Sequence, residues 1–309
     1  MKVAIAQIAP VFMNRDATTA RVVASIEQAS KQDCALVAFG ESLIPAYPFW
    51  LSKTGGAQFN DDRQKAWHAM YLEQAVVPEE GHLDSIANAA KRANIAVVVG
   101  IAERPLDRGG HTIYCSRVFI SNKGEVLSIH RKLMPTYEER LAWGMGDGAG
   151  LVTHRVGPFT VGALNCWENW MPLARTALYA QGENLHVAIW PGSAQLTADI
   201  TRFIALESRS FVVSAGAMLR EGDLPNDLPD RDTLANPGEM LFDGGSCIAA
   251  PDGSWLVEPV VGREDLIVCD LDHQLVFKER QNFDPTGHYS RPDVLRLKVD
   301  RNRNATLEE

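Results

Sequence analysis

An α/β fold built on mixed, at least partly parallel sheet is predicted by three features of the 309-residue sequence. Short β-rich runs alternate with helical segments. Several of the runs are continuously apolar, as in strands covered on both faces, and two turn-forming tripeptides join neighbouring runs as hairpins. In chain order, the run 3–8 leads through a helical segment, 18–31, to the run 35–39. Segments 63–74 and 81–93 read as helices ahead of a strand at 95–102. Strands at 118–121 and 126–130 flank Asn122, Lys123 and Gly124, whose turn chemistry predicts the first hairpin. The alternation resumes with strand 160–164, helix 172–181, strand 187–190, helix 200–210 and strand 211–217. The polar stretch 221–239, with three prolines, reads as a surface loop. Strands 246–250 and 255–258 flank the second hairpin at Pro251, Asp252 and Gly253, and 266–271 is the last strand. No repeat of 20 to 50 residues and no linker divides the chain, so one domain is expected over 1–295, followed by a tail, 296–309.

Thirty basic against thirty-nine acidic residues give a net charge of −9. No basic run is longer than the pairs Lys91-Arg92 and Arg131-Lys132. Nucleic acid and anionic membranes are bound mainly through basic surface, so neither is an expected partner. The opening residues hold no apolar stretch of signal-peptide length, and about 18 apolar residues never run together, so a cytoplasmic location without a membrane span is expected. Five cysteines, at 34, 115, 166, 247 and 269, are odd in number and lack CxxC or Cys/His ligand spacing. That pattern speaks against a disulfide framework and against structural zinc. Four of them lie in apolar runs, where cysteine is a small buried hydrophobe. Cys166 has different neighbours.

In VGALNCWENWMPLAR, from Val161 to Arg175, an apolar strand ends at Cys166 and a helix begins near Pro172, a residue suited to a first helical turn. A cysteine at such a turn faces a pocket, and the Trp167 amide can donate to an anion forming on an attacked substrate. The same segment also fits a packed strand-end cysteine. A thiol with a reference pKa of about 8.5 needs a base or a nearby cation to act as a nucleophile at neutral pH. Two other strand ends offer them: 35–39 terminates in Gly40 and Glu41, and 126–130 runs out into Lys132, with Pro135, Glu138 and Glu139 beyond. Each charge alone fits a solvated surface group. Three complementary groups at three strand ends point to nucleophilic hydrolase chemistry.

These motifs resemble those of the nitrilase superfamily of carbon-nitrogen hydrolases, and within it those of nitrilases. Glu41, Lys132 and Cys166 match the order and contexts of that family's Glu-Lys-Cys triad. HRKLMPT and ERLAWGMGDG, between His130 and Gly148, and CWENWMPLAR, from Cys166, are similar to nitrilase signatures rather than to those of amidases or carbamoylases. DPTGHYSRPDV, from Asp284 to Val294, resembles the C-terminal motif, so the likeness spans nearly the whole chain. One departure is Gly40, where the family usually has proline. The resemblance implies a single-domain, four-layer αββα sandwich with two mixed sheets. It implies pairing into an αββα-αββα homodimer, which many relatives extend into spirals or filaments. It further implies that Glu139 is a second catalytic glutamate and that no cofactor or metal is used. The implied reaction converts a small-molecule nitrile to its carboxylic acid and ammonia through a covalent thioimidate and thioester.

Tyr47, Trp143, Trp167, Trp170 and Trp190 lie near these motifs in sequence and are candidate substrate-binding residues. Each also fits core or interface packing. The glycine-rich run from Gly144 to Gly150 follows a loop and opens no helix, so a dinucleotide site is not expected there. His130, His154 and His288 are expected as hydrogen-bonded structural residues. Rival readings are an amidase or carbamoylase with the same triad, a cyanide hydratase or dihydratase, and a catalytically silent binding or assembly module.

Overall fold

The computed structural model describes residues 1–304. One sheet contains β1 (Lys2–Gln7), β2 (Leu36–Phe39), β3 (Ala96–Glu103), β4 (Tyr114–Ile120) and β5 (Val126–Arg131). The other contains β6 (His154–Val156), β7 (Phe159–Asn165), β8 (Leu185–Trp190), β9 (Phe211–Gly216), β10 (Met218–Arg220), β11 (Met240–Ala249) and β12 (Trp255–Val261). The last strand, β13 (Asp265–Asp270), returns to the first sheet and pairs antiparallel with β1. β1, β2 and β3 run parallel, as do β7, β8 and β9. The hairpin β4–β5 and the β9–β11 pairing are antiparallel, so both sheets are mixed.

Strand alternation shows the layers. Val3 and Ile5 of β1 join a core shared with Val161, Val187 and Val213 of the second sheet, while Ala4 and Ala6 join one with Val22 and Ile26 of helix Arg15–Ser30. On the far side, Ala188 and Val212 pack with Ile200 and Ile204 of helix Ala194–Ser208, and Leu164 packs with Leu178 of helix Pro172–Tyr179. The order is helix, sheet, sheet, helix: an αββα sandwich in a single domain. Inner strands are apolar on both faces because both are covered, each large aliphatic side chain contributing about 1.5–3 kcal/mol on burial.

Several boundaries differ from the sequence reading. The first helix begins at Arg15 rather than 18 because Asn14 caps it, its Oδ1 accepting from Ala17 N at 2.9 Å. The helix expected at 200–210 begins at Ala194, β4 begins at Tyr114 rather than 118, and β11 begins at Met240 rather than 246. β6 and β10 were not expected, since three residues are too few to carry a periodic signal. The loop 221–239 holds a short helix, Arg231–Leu234. Among the described residues none beyond Glu279 is helical or in a strand. The expected tail is nonetheless held down: Arg303 donates to Asp147 Oδ1 and to the Ile129 carbonyl, both at 3.0 Å. Residues 305–309 of that tail lie outside the described residues.

Candidate active site

β2, β5 and β7 end at Phe39, Arg131 and Asn165, which places Glu41, Lys132 and Cys166 just past three strand ends. Backbone bonds fix each exit. Glu41 N donates to the Trp190 carbonyl at 2.9 Å, and Lys132 N donates to the Cys115 carbonyl at 2.8 Å. Two glycines permit the close packing. A Cβ on Gly146 would lie 2.1 Å from the Arg131 carbonyl oxygen, so the glycine-rich run serves to press a loop onto the lysine strand. A Cβ on Gly40 would lie 2.7 Å from Ala217 Cβ, 2.8 Å from Ala217 N and 2.9 Å from the Trp190 carbonyl oxygen.

All four expected reactive side chains meet. Lys132 Nζ lies 3.0 Å from Glu41 Oε1 and 2.8 Å from Glu139 Oε2. Glu139 is further held by Tyr47, whose hydroxyl donates to Oε1 at 2.9 Å, and by Thr136 N, which donates to Oε2 at 2.6 Å. One carboxylate oxygen each of Glu41 and Glu139 and the Cys166 sulfur lie within 4.8 Å of one another. That spacing would suit a cation, and the Lys132 ammonium supplies positive charge there. Glu41 Oε2 is buried and has no hydrogen-bond partner.

Burial dominates the electrostatics. Desolvation pushes Glu41 up to about 7 against the opposing pull of Lys132. Desolvation and the Glu41 charge push the Cys166 thiol well above its ordinary value, although Lys132 and the Trp167 backbone N–H favour the thiolate. Burial works against the Lys132 ammonium, but the acidic groups around it, Cys166, Glu41, Cys115 and Glu139, outweigh it and hold its pKa well above the usual range; at neutral pH the two carboxylates carry that effect. At neutral pH the lysine is therefore charged and the thiol protonated, beside a carboxyl poised to exchange that proton.

Cys166 adopts φ 45°, a left-handed conformation that is uncommon for a residue with a Cβ. Asn169 Nδ2 donates to its carbonyl at 2.8 Å, Asn169 Oδ1 lies 2.8 Å from His186 Nε2, and His186 Nδ1 lies 2.9 Å from Glu183 Oε1. Glu168 ties this turn to the lysine strand. Its Oε2 accepts from Asn165 N at 3.0 Å, its Oε1 accepts from Leu133 N at 2.9 Å, and His130 Nε2 sits 2.9 Å from Oε1. Both neighbours of the reacting pair, Asn165 before Cys166 and Leu133 after Lys132, hang on one buried carboxylate.

A cavity of about 310 Å³ reaches this cluster. Cys166, Glu138, Glu139 and Thr136 line it, with Tyr47, Phe49, Trp167, Leu196 and Phe242 forming apolar wall. Of the aromatic candidates, Tyr47 and Trp167 reach it. Trp143 is buried behind the lysine, its ring centroid 5.7 Å from Lys132 Nζ. Trp190 is buried in the core cluster that holds Cys166. Trp170 turns outward and stacks on Phe203 at 6.3 Å. Sequence reasoning did not find Phe49, although it lies two residues beyond Tyr47, nor Leu196 and Phe242, which come from segments far from the motifs, nor Cys115, whose thiol donates to Glu41 Oε1 at 3.3 Å. His130 and His154 are engaged by hydrogen bonds, the latter 2.7 Å from Ser128 Oγ, and His288 is exposed beside Tyr289.

A thiol, an ammonium and two carboxylates gathered in one buried cluster, with Cys166 and Glu139 lining a cavity, are the groups a covalent hydrolase needs as nucleophile, base and electrostatic support. Residues 2–280 match the carbon-nitrogen hydrolase family. The chain is 36% identical to "Nitrilase 2" from an unknown prokaryotic organism, over 96% of this chain and 91% of that protein. It is 35% identical to an aliphatic nitrilase from Rhodococcus rhodochrous, over 99% and 80%. In fold it is similar to a carbon-nitrogen hydrolase from Helicobacter pylori G27, with TM-score 0.71, 17% identity and coverage of 95% and 96%. It is also similar to an amidase from Nesterenkonia sp., with TM-score 0.66, 19% identity and coverage of 91% and 94%. The chain thus belongs to the carbon-nitrogen hydrolase family, in its nitrilase branch, and is a hydrolase of carbon–nitrogen bonds. None of its described helices is long and apolar enough to cross a membrane.

Proposed function

We propose that the enzyme is a nitrilase that converts a small organic nitrile to the carboxylic acid and ammonia. The observation that carries this reading is the buried cluster of Cys166, Glu41, Lys132 and Glu139, of which Cys166 and Glu139 line a cavity with Tyr47, Phe49, Trp167, Leu196 and Phe242 in its wall. The named nitrilases at 35–36% identity support the substrate class. Glu41 Oε2 takes the thiol proton as the Cys166 sulfur bonds to the nitrile carbon and a π pair moves to nitrogen. Lys132 and the Trp167 amide support the negative nitrogen, which then takes the proton from Glu41 to give a thioimidate. Water, deprotonated by Glu41 and held near Glu139, adds to that carbon. The carbon–nitrogen bond breaks, ammonia leaves and a thioester remains. A second water releases the acid and returns the proton to sulfur. Departure of the thiol before ammonia gives the amide instead.

Tyr47 and Trp167 contact the substrate in this reading, and Trp143 acts through Lys132. A second copy of the chain covers the outer helices, where Trp170, Leu173, Phe203 and Leu206 are exposed. Sedimentation of the purified protein tests this last point, a monomer at micromolar concentration ruling it out. The main test is ammonia release from aliphatic, aromatic and arylacetonitriles, cyanide and the matching amides, with Cys166→Ala as control. Release from organic nitriles that vanishes in the variant supports the reading. Turnover of amides alone moves the enzyme to amide hydrolysis, turnover of cyanide alone to cyanide hydration, and silence throughout revives a binding module.

A further inference from the structure

Cys115 stands in β4 among apolar neighbours and is fully buried, as a packing cysteine would be. Its contacts set it apart. Its carbonyl accepts from Lys132 N at 2.8 Å, and its thiol donates to Glu41 Oε1 at 3.3 Å. One residue thus braces both the lysine backbone and the carboxylate proposed as base. Oε1 already faces Lys132 Nζ at 3.0 Å, so lysine and thiol together occupy one oxygen of Glu41. The other, Oε2, is buried and unpartnered.

We infer that Cys115 is a positioning residue: its thiol holds Glu41 Oε1 so that Oε2 is presented to the Cys166 proton. The inference rests on the proposed role of Glu41 as base. A side chain without a donor at 115, such as the methyl of alanine, would leave the Glu41 carboxylate with one partner where it has two, and free to turn Oε2 away. Burial and the neighbouring Glu41 charge keep the Cys115 thiol far above its ordinary pKa, so it stays protonated and remains a donor throughout the working range. It is accordingly a poor nucleophile itself.

The test reads sulfur reactivity without a nitrile, so that it stands apart from the substrate question. Wild type, Cys115→Ala and Cys115→Ser are alkylated with iodoacetamide from pH 5 to 9, peptide mapping identifies the labelled cysteine, and thermal melts report folding. Label is expected on Cys166 and not on Cys115. In Cys115→Ala the rise of the Cys166 rate is expected to shift upward by about half a pH unit to one unit, slowing labelling at pH 6 about three- to tenfold. Cys115→Ser, which keeps a donor, is expected to recover at least half of that shift even if both variants melt alike. An unshifted profile in folded Cys115→Ala overturns the inference, as does a serine variant that behaves like alanine. Loss of Cys166 labelling in Glu41→Gln, with an unshifted Cys115→Ala, would uphold Glu41 as base and reject Cys115 as its support.

Discussion

Lys132 and Glu168 are both fully buried charges close to the Cys166 turn, and they are used in opposite ways. Glu168 spends both oxygens on protein, taking His130 and two backbone N–H groups that belong to different strand ends. Those partners outweigh the desolvation that works to raise its pKa and hold it below the usual carboxylate range. Lys132 faces two carboxylates, one of which, Glu41 beside the Cys166 sulfur, keeps a buried oxygen unpartnered. Burying a charge is expensive in either place. The sealed joint recovers that cost as fixed geometry, and the open cluster keeps an atom for reaction. Burial alone therefore identifies neither; the unpartnered oxygen and the cavity do.

The comparison predicts variants that separate reaction from fold. Lys132→Met removes the cation at nearly constant volume, and kcat for nitrile turnover should fall about a thousandfold. The variant should still fold, because a proton on Glu41 or Glu139 can relieve the buried pair. A variant that loses only a few-fold in kcat would remove Lys132 from the reaction. Glu168→Ala should do the reverse, lowering stability by about 3–5 kcal/mol in denaturant unfolding by orphaning His130 and two amides. Activity per folded molecule should drop less than in Lys132→Met; an equal drop with unchanged stability would erase the contrast. The open cluster should also titrate. Glu41, raised to about 7, must be ionised to take a proton. The acid limb of kcat/KM should therefore rise about tenfold per unit below pH 7 and level off above it, and a limb near pH 4.5 would count against this carboxyl as base. The smallest effect is expected at Trp170, outside both clusters. Trp170→Ala should change kcat/KM by less than about twofold, and a larger loss would return it to the substrate wall.

Glu41, Lys132 and Cys166 were legible because each follows a strand end carrying its own local motif, on two sheets that pack face to face, whereas Glu139, in the turn Tyr137–Leu141, was read only from the family resemblance. The cavity wall was less so. Nearness in sequence to a motif predicted Trp143, Trp170 and Trp190, but a residue's facing depends on packing, and these turned inward or outward. Phe242 was hidden by the position of β11, whose first residues follow a polar loop. Cys115 could in principle be placed opposite Lys132 by counting back from the Asn122–Gly124 turn. A register shift between Phe119 and Ile120 defeats that count, and a slip of one residue reverses every facing.

Gly40 bears on which substitutions the fold can accept. The space a side chain would need there is held by Ala217, between β9 and β10, and by the Trp190 carbonyl at the end of β8. Placing a proline at position 40 would require trimming Ala217 to glycine and also displacing the chain at Trp190 and Ala217. The glycine thus works as a ratchet within this fold: a side chain at 40 cannot be accommodated by changing position 40 alone, because Ala217 and the Trp190 carbonyl must give way with it.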